Sequence, residues 1–193
     1  MGLSTQPGRR VLYVGVTGHR FLAEVDRLRV AVDAALDRLA AQYPDHRLTA
    51  LSPLAEGADR LVAHAALARG GGLIVPLPFP VEEYSRDFET AESMGEFGRL
   101  LAQAEEVLVL PPVATRNEAY AGVGSYIADR CDALIALWDG QGAQGQGGTA
   151  EVVYRALNRR IPVIHILCGN RKPGTSEPTS LGEQQGELVV HNL

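Results

Sequence analysis

The stretch Ala133-Leu-Ile-Ala-Leu-Trp138, followed by Asp139 and a loop that ends in Gly147-Gly-Thr-Ala-Glu151, decides the fold. Its first six residues include no polar side chain, which is typical of a parallel strand covered on both faces. Five glycines between Gly140 and Gly148 leave a loop with few side chains, so that backbone amides can approach a ligand. The pattern predicts a buried strand, a glycine-rich loop and the start of a helix.

The predicted helix start is a natural seat for a phosphate. Thr149 is the predicted N-cap, because its hydroxyl can accept a hydrogen bond from a free first-turn amide. Helix N-termini also carry partial positive charge and unpaired N–H groups. Glu151, in the first turn, would point toward the same ligand. The alternative is a flexible connector in which Glu151 only interacts favourably with the helix dipole.

Five further apolar runs alternate with segments of helical spacing, and they predict strands at about 11–16, 47–51, 73–77, 107–110 and 161–167. Such alternation implies right-handed βαβ units in a doubly wound, mostly parallel, Rossmann-like sheet with three α/β/α layers. We expect a single domain over residues 1–193, with its core at about 10–168. Residues 169–193 are expected to form a polar tail that ends in a short edge strand.

The composition argues against several classes of function. The net charge of −5 and the pI near 5.5 predict no nucleic-acid partner, with a local basic pocket as the alternative. Cys131 and Cys168 lack the spacing of metal ligands, so that neither a metal nor a cofactor is expected. No apolar run is long enough to cross a membrane, and residues 1–10 lack the core of a signal peptide. We therefore expect a cytoplasmic protein without a membrane partner.

Polar residues cluster where four of the predicted strands end. In a doubly wound sheet, ligands bind at the carboxyl ends of the strands, near the point where the strand order reverses. Arg20 suits a phosphate through its bidentate fork, although a solvated turn residue is the alternative. Asp59 either faces the ligand or stabilises a helix start. The candidate ligand-binding residues are Gly18, His19, Arg20, Ser52, Glu56, Gly57, Ala58, Asp59, Asp139, Gly147, Gly148, Thr149 and Glu151.

Other features narrow the choice of ligand. No G-x-G-x-x-G fingerprint follows the first strand, which argues against an ordinary NAD enzyme. Tyr84 and Asp87 follow the third strand and would form a wall or lid, with Tyr120 at the rim.

Four motifs in order resemble the SLOG superfamily: Val14-Gly-Val-Thr-Gly-His-Arg20, Leu54-Ala-Glu-Gly-Ala-Asp59, Leu134-Ile-Ala-Leu-Trp-Asp-Gly140 and Gly147-Gly-Thr-Ala-Glu151. This superfamily includes the cytokinin-activating phosphoribohydrolases, once called lysine decarboxylase-like, and the ligand-sensing domains of TRPM channels and bacterial defence proteins. The chain looks most similar to small prokaryotic, TRPM-type members. The resemblance implies a Rossmann-like sheet that binds nucleotides or nucleotide-derived ligands, often as a homodimer or homotetramer.

The chain departs from the phosphoribohydrolase pattern P-G-G-x-G-T-x-x-E. Glu151 lies two residues after Thr149, whereas the position three residues after it is Val152. The helix arginine of those enzymes would fall near Val123, which is apolar. The two residues expected to cleave a glycosidic bond are therefore not cleanly present.

The sequence leaves three functions open. The first is a non-catalytic sensor module that binds a nucleotide-derived small molecule, with phosphate on the amides of 147–150 and 57–59 and with Arg20 as the countercharge. The second is a hydrolase of the N-glycosidic bond in nucleoside 5′-monophosphates, with Glu151 as the catalytic residue. The third is a structural domain whose pocket has no ligand.

Overall fold

The apolar runs of the sequence form one seven-stranded sheet in a computed structural model, which describes residues 10–142 and 148–193. The strand order is β4-β3-β2-β1-β5-β6-β7, and every neighbouring pair is parallel except β6 and β7. The strands are β1 (Arg10–Gly18), β2 (His46–Leu51), β3 (Gly72–Leu77), β4 (Glu106–Val109), β5 (Ala133–Trp138), β6 (Val163–Leu167) and β7 (Leu188–His191). The predicted fold class is confirmed.

In the described part of the chain, six helices connect and cover these strands. They are α1 (Val25–Gln42), α2 (Ala58–Ala68), α3 (Val81–Tyr84), α4 (Ala91–Leu101), α5 (Arg116–Arg130) and α6 (Thr149–Asn158). Helices α1, α2 and α4 pack on one face of the sheet, and α5 and α6 pack on the other. A 3₁₀ turn over Ser85–Asp87 continues the short α3.

The strand order reverses between β1 and β5. After β1 the chain builds β2, β3 and β4 outward on one side, and then α5 returns it across the sheet to start β5 on the other side. The connections that follow β1 and β5 therefore lead away from each other at the carboxyl ends of these strands, which leaves an opening there.

Two glycines of β1 allow helices to approach this opening. A Cβ atom on Gly15 would lie 2.8 Å from Cγ2 of Ile127 in α5, and one on Gly18 would lie 2.5 Å from Cβ of Ala58 in α2. Because neither distance leaves room for a methyl group, both helices pack directly on the backbone of β1.

The central strand β5 is buried at all six positions, as a run without polar side chains predicts. Its alternate residues contribute to the apolar clusters on the two faces, with Ile135 and Leu137 on one side and Leu134 and Ala136 on the other. The core thus sits directly beneath the opening.

Two helix starts differ from the prediction. Helix α5 begins at Arg116 rather than near 119, because the Thr115 hydroxyl and the Glu118 carboxylate form a capping box. Gly148 is the N-cap of α6, whereas Thr149 is its first helical residue and makes no capping hydrogen bond. The predicted N-cap role of Thr149 is therefore wrong.

The segment after β6 is fastened to the rest of the molecule through Gln185. This fully buried side chain accepts hydrogen bonds from the Gly169 and Leu181 amides and donates one to the Ala23 carbonyl. Strand β7 then pairs antiparallel with β6 at the sheet edge. Among the described residues, no helix has the length and apolar character needed to cross a membrane.

Candidate ligand-binding cleft at the strand ends

A cleft of about 310 Å³ opens at the carboxyl ends of β1, β2 and β3, where the strand order reverses. Its walls come from the first turn of α2, residues 78–88, the middle of α5 and the start of α6. The predicted site residues that line it are Gly18, Arg20, Asp59, Gly148 and Thr149. Its volume lies within the range of small-ligand sites.

The other predicted residues lie elsewhere. His19 and Glu56 line a second groove beside the cleft, and Gly57 lines a groove between α1 and α2. Ser52, Ala58 and Asp139 make hydrogen bonds within the fold. Gly147 falls outside the described residues.

The start of α2 is fastened to the loop after β1. The Ala58 amide donates to the His19 carbonyl at 3.1 Å. Gly57 adopts φ +79°, and a Cβ atom there would lie 2.4 Å from the Arg20 carbonyl oxygen. One of the amides predicted to bind a phosphate at this helix start, that of Ala58, is therefore already hydrogen-bonded within the fold.

Ser52 and Asp59 secure the loop between β2 and α2. The fully buried Ser52 hydroxyl accepts a hydrogen bond from the Leu54 amide at 3.2 Å. Oδ2 of Asp59 accepts one from the Ala55 amide at 3.1 Å. Burial raises the pKa of Asp59 to about 7, against the smaller opposing effects of the Ala55 amide, Arg20 and Arg60. Asp59 thus brings a carboxyl group that can be neutral near pH 7 to the cleft wall.

Arg20 lies at the mouth of the cleft and is held by acceptors of the protein. Its Nη2 atom lies 2.8 Å from Oε2 of Glu56 and donates a longer hydrogen bond of 3.3 Å to the Asp87 carbonyl. The Arg20 side chain is 43% exposed. An incoming anion would therefore compete with Glu56 for a cation that solvent and ligands can reach.

His19 and Asp139 close the ends of β1 and β5. Nε2 of His19 accepts a hydrogen bond from the Asp139 amide at 3.1 Å, and it lies 3.4 Å from Oδ1 of the same residue. Burial lowers the pKa of His19, with Asp139 opposing this shift. The amide contact requires an unprotonated Nε2, so we assign a neutral imidazole and not an ion pair. Oδ1 of Asp139 also accepts a hydrogen bond from the Gln141 amide at 3.0 Å.

An apolar wall faces these polar groups. Tyr84 and Phe88 lie edge to face with ring centroids 5.3 Å apart, and Val123 and Ile127 of α5 with Val152 of α6 complete the wall. Burial raises the pKa of Tyr84, which keeps the phenol protonated. The aromatic content of 79–88 was the only sequence signal for this wall, because the α5 residues show only helical core spacing.

Asp87 ties the wall to α5. Its Oδ2 accepts a hydrogen bond from the Tyr120 hydroxyl at 2.5 Å, and its Oδ1 accepts one from Arg116 at 2.7 Å. The Arg116 guanidinium also lies 4.1 Å from the centroid of the Phe79 ring. These contacts fix the rim at Asp87, whose carbonyl also accepts a hydrogen bond from Arg20.

Glu151 lines a different groove, together with Asp129, Tyr154 and Arg155. In the first turn of α6, Val152 turns toward the cleft instead. The catalytic role of Glu151 stays a prediction. In this groove its carboxylate lies beside Arg155 and helps to raise the pKa of Arg155, after the larger effect of Asp129.

The start of α6 differs from that of α2 in its amides. The Glu151 and Val152 amides return to the Gly148 carbonyl. Those of Thr149 and Ala150 have no acceptor within residues 10–142 and 148–193, as expected for the first turn of a helix. In the same part of the chain, no cluster of three His, Cys, Asp or Glu side chains could hold a metal ion.

Comparisons with known proteins identify the class of fold. No protein family model and no curated protein matches the chain. Among solved structures, DNA processing protein A from Streptococcus pneumoniae matches with a TM-score of 0.56 and 17% identity, over 92% of this chain and 54% of that one. The same protein from Helicobacter pylori matches with a TM-score of 0.56 and 16% identity, over 92% and 70% of the two chains.

A third structure, the molybdenum cofactor carrier protein from Chlamydomonas reinhardtii, matches with a TM-score of 0.46 and 21% identity, over 81% and 76% of the two chains. That score supports no argument about this chain. The two higher matches define a Rossmann-like α/β fold. The chain spans about half the length of the Streptococcus structure. The finer SLOG and TRPM-type assignments stay predictions.

The prediction about binding partners requires correction. It named a nucleotide-derived small molecule and excluded nucleic acid. The exclusion rested on the net charge of −5. The Helicobacter protein, which shares this fold, is described as having a single-stranded DNA binding mode. Since a local groove can bind a single strand, the charge of the whole chain is the wrong criterion.

Proposed function

We propose that the protein binds single-stranded nucleic acid and holds one nucleotide unit in the cleft at the carboxyl ends of β1 and β2. The observation that carries this proposal is the meeting of an apolar wall, an arginine and a helix start in one cleft of about 310 Å³. A nucleotide combines a flat base, a sugar with hydroxyl or ether oxygens and an anionic phosphate, and these three surfaces match that arrangement.

The phosphate would lie at the start of α6. The first-turn amides and the helix dipole favour an anion there, and the Thr149 hydroxyl adds a further donor. Arg20, which also lines the cleft, would supply the countercharge. To reach the phosphate, Arg20 would exchange its contact with Glu56 for one with the ligand.

The base would lie against the wall formed by Tyr84, Phe88 and the apolar residues of α5. Contact between bases and aromatic rings contributes about 1–3 kcal/mol per base and tolerates every base. Asp59, at the edge of this wall, would accept a hydrogen bond from an N–H group of the base or a hydroxyl of the sugar.

The test is calorimetric titration of the full chain with a short 5′-phosphorylated oligothymidylate, the same sequence as a duplex, and thymidine monophosphate. We expect the single strand to bind more tightly than the duplex, and Arg20→Ala to weaken its binding at least tenfold. Arg38→Ala, which removes an exposed arginine on α1, is the matched control. Equal or tighter binding of the duplex, or an unchanged affinity in Arg20→Ala, would contradict the proposal.

A further inference from the structure

A second groove, of about 590 Å³, adjoins the cleft. The two cavities share Gly18, Arg20 and Asp87, so that Arg20 stands between them. The far side of the second groove is formed by Phe21 and by Asn170 and Arg171, which follow β6. A ligand that continues past Arg20 therefore enters this groove.

Arg171 differs from the other arginines near the site. Arg20, Arg60 and Arg116 each form an ion pair with a carboxylate, at 2.8 Å, 2.9 Å and 2.7 Å respectively for the shortest contacts. Arg171 has no carboxylate within 4.0 Å among residues 10–142 and 148–193, and its guanidinium carbon lies 5.0 Å from the centroid of the Phe21 ring. It is thus a cation without a countercharge of its own, placed on an aromatic ring.

The backbone holds Arg171 in this position. Arg171 forms a β-bridge with Pro178, and the Lys172 amide donates to the Glu177 carbonyl at 2.9 Å. The Lys172 ammonium is paired with Glu177 as well, and Arg171 is the cation of this segment that lines the groove.

Two acidic side chains that line the groove, Glu56 and Asp87, are engaged with other partners. Glu56 accepts hydrogen bonds from Arg20 and Ser93, and Asp87 from Arg116 and Tyr120. His19 adds no charge, because its Nε2 atom accepts a hydrogen bond from the Asp139 amide and is therefore unprotonated. Glu89 remains at the rim as the opposing charge.

We infer that this groove is a second nucleotide subsite, in which Arg171 contacts the phosphate that links the nucleotide in the cleft to its neighbour and Phe21 contacts the neighbouring base. The inference rests on the proposed function and deepens it, since it identifies the feature that would favour a strand over a single nucleotide. A guanidinium forms bidentate contacts with phosphate, and an aromatic ring can stack on any base.

The experiment measures binding of thymidine monophosphate and of 5′-phosphorylated dithymidylate to the wild-type chain, Arg171→Ala and Arg38→Ala. We expect Arg171→Ala to weaken dithymidylate binding by about fivefold or more and to reduce the slope of affinity against salt by about one. Its affinity for the monophosphate and its melting temperature should match those of the wild type. Phe21→Leu should weaken dithymidylate binding with an unchanged salt slope.

The outcomes separate this inference from the proposed function. If dithymidylate binds Arg171→Ala as it binds the wild type, the second subsite is wrong while the cleft proposal stands. If Arg171→Ala weakens both ligands equally, Arg171 acts on the cleft and the subsite is again wrong. If neither dithymidylate nor a longer single strand binds the wild type, the proposed function itself fails.

Discussion

Two helices, α2 and α6, begin at the same cleft after a short polar stretch that contains glycine, yet the fold uses their first turns differently. At α2, the Ala58 amide donates to the His19 carbonyl and Gly57 presses against the Arg20 backbone. At α6, Thr149 and Gly148 line the cleft, and the Thr149 amide has no acceptor among the described residues. The first amide of α2 is thus engaged by the fold, whereas the first amide of α6 is left without an acceptor in the described part of the chain.

The difference follows from where each stretch lies relative to the point at which the strand order reverses. Helix α2 packs over β1, and its start must be joined to the loop after that strand. Helix α6 follows β5, and its first residues line the cleft. The first amide therefore stabilises the fold at α2, whereas we propose that the first amide of α6 binds the ligand.

The largest expected effect concerns the carboxyl group at the start of α2. The pKa of Asp59 is about 7 in the folded chain, against 3.8 as its ordinary value. The folded state therefore binds more protons than the unfolded state between these values, and the free energy of unfolding falls as the pH rises through them. We expect a loss of roughly 4 kcal/mol from pH 3 to pH 8 through this group.

Asp59→Asn isolates that contribution. The variant retains an acceptor for the Ala55 amide but cannot ionise, so its stability relative to the wild type should increase as the pH rises to 8. Urea unfolding of both proteins at a series of pH values measures the difference. A constant difference over this range would show that Asp59 titrates normally.

Matched substitutions at the two helix starts sharpen the comparison. Gly57→Ala should destabilise the chain by about 3 kcal/mol, because φ is +79° and the new Cβ atom would lie 2.4 Å from the Arg20 carbonyl oxygen. Gly148→Ala should cost less than about 1 kcal/mol, since its φ is −80° and no described atom lies within 4 Å of the added Cβ. Equal losses in urea unfolding would remove the distinction between the helices.

A smaller effect is expected from the ion pair at the mouth of the cleft. Glu56→Gln should strengthen binding of a 5′-phosphorylated oligothymidylate by about threefold, because the carboxylate now pairs with Arg20 at 2.8 Å. Glu118→Gln, at the start of α5, changes the net charge equally without touching Arg20. Calorimetric titration that finds the same gain in both variants would assign it to net charge alone.

The smallest effect is expected at Glu151, which lies in a separate groove. Glu151→Gln should change oligothymidylate affinity by less than about twofold, because its carboxylate does not line the cleft. The same titrations should be followed by chromatography for released base. Base release by the wild type that Glu151→Gln abolishes would instead establish the N-glycosidic hydrolase.

The sequence predicts the sheet well and the cleft incompletely, for physical reasons. Apolar runs such as 133–138 identify buried strands because every side chain in them must avoid water. The wall of Tyr84, Phe88 and Val123 comes from elements far apart in the chain, and local spacing cannot show that they meet. Nor does spacing show that Glu56 pairs with Arg20, or that Gly148 rather than Thr149 caps α6.

The most direct test of the central claim is an amide NMR titration of the 20.7 kDa chain with 5′-phosphorylated dithymidylate. We predict the largest changes at the amides of Thr149 and Ala150 and at the side chain of Arg20, with little change at the Ala58 amide. Changes concentrated around Asp129, Tyr154 and Arg155, or the absence of any change at saturating ligand, would contradict the account.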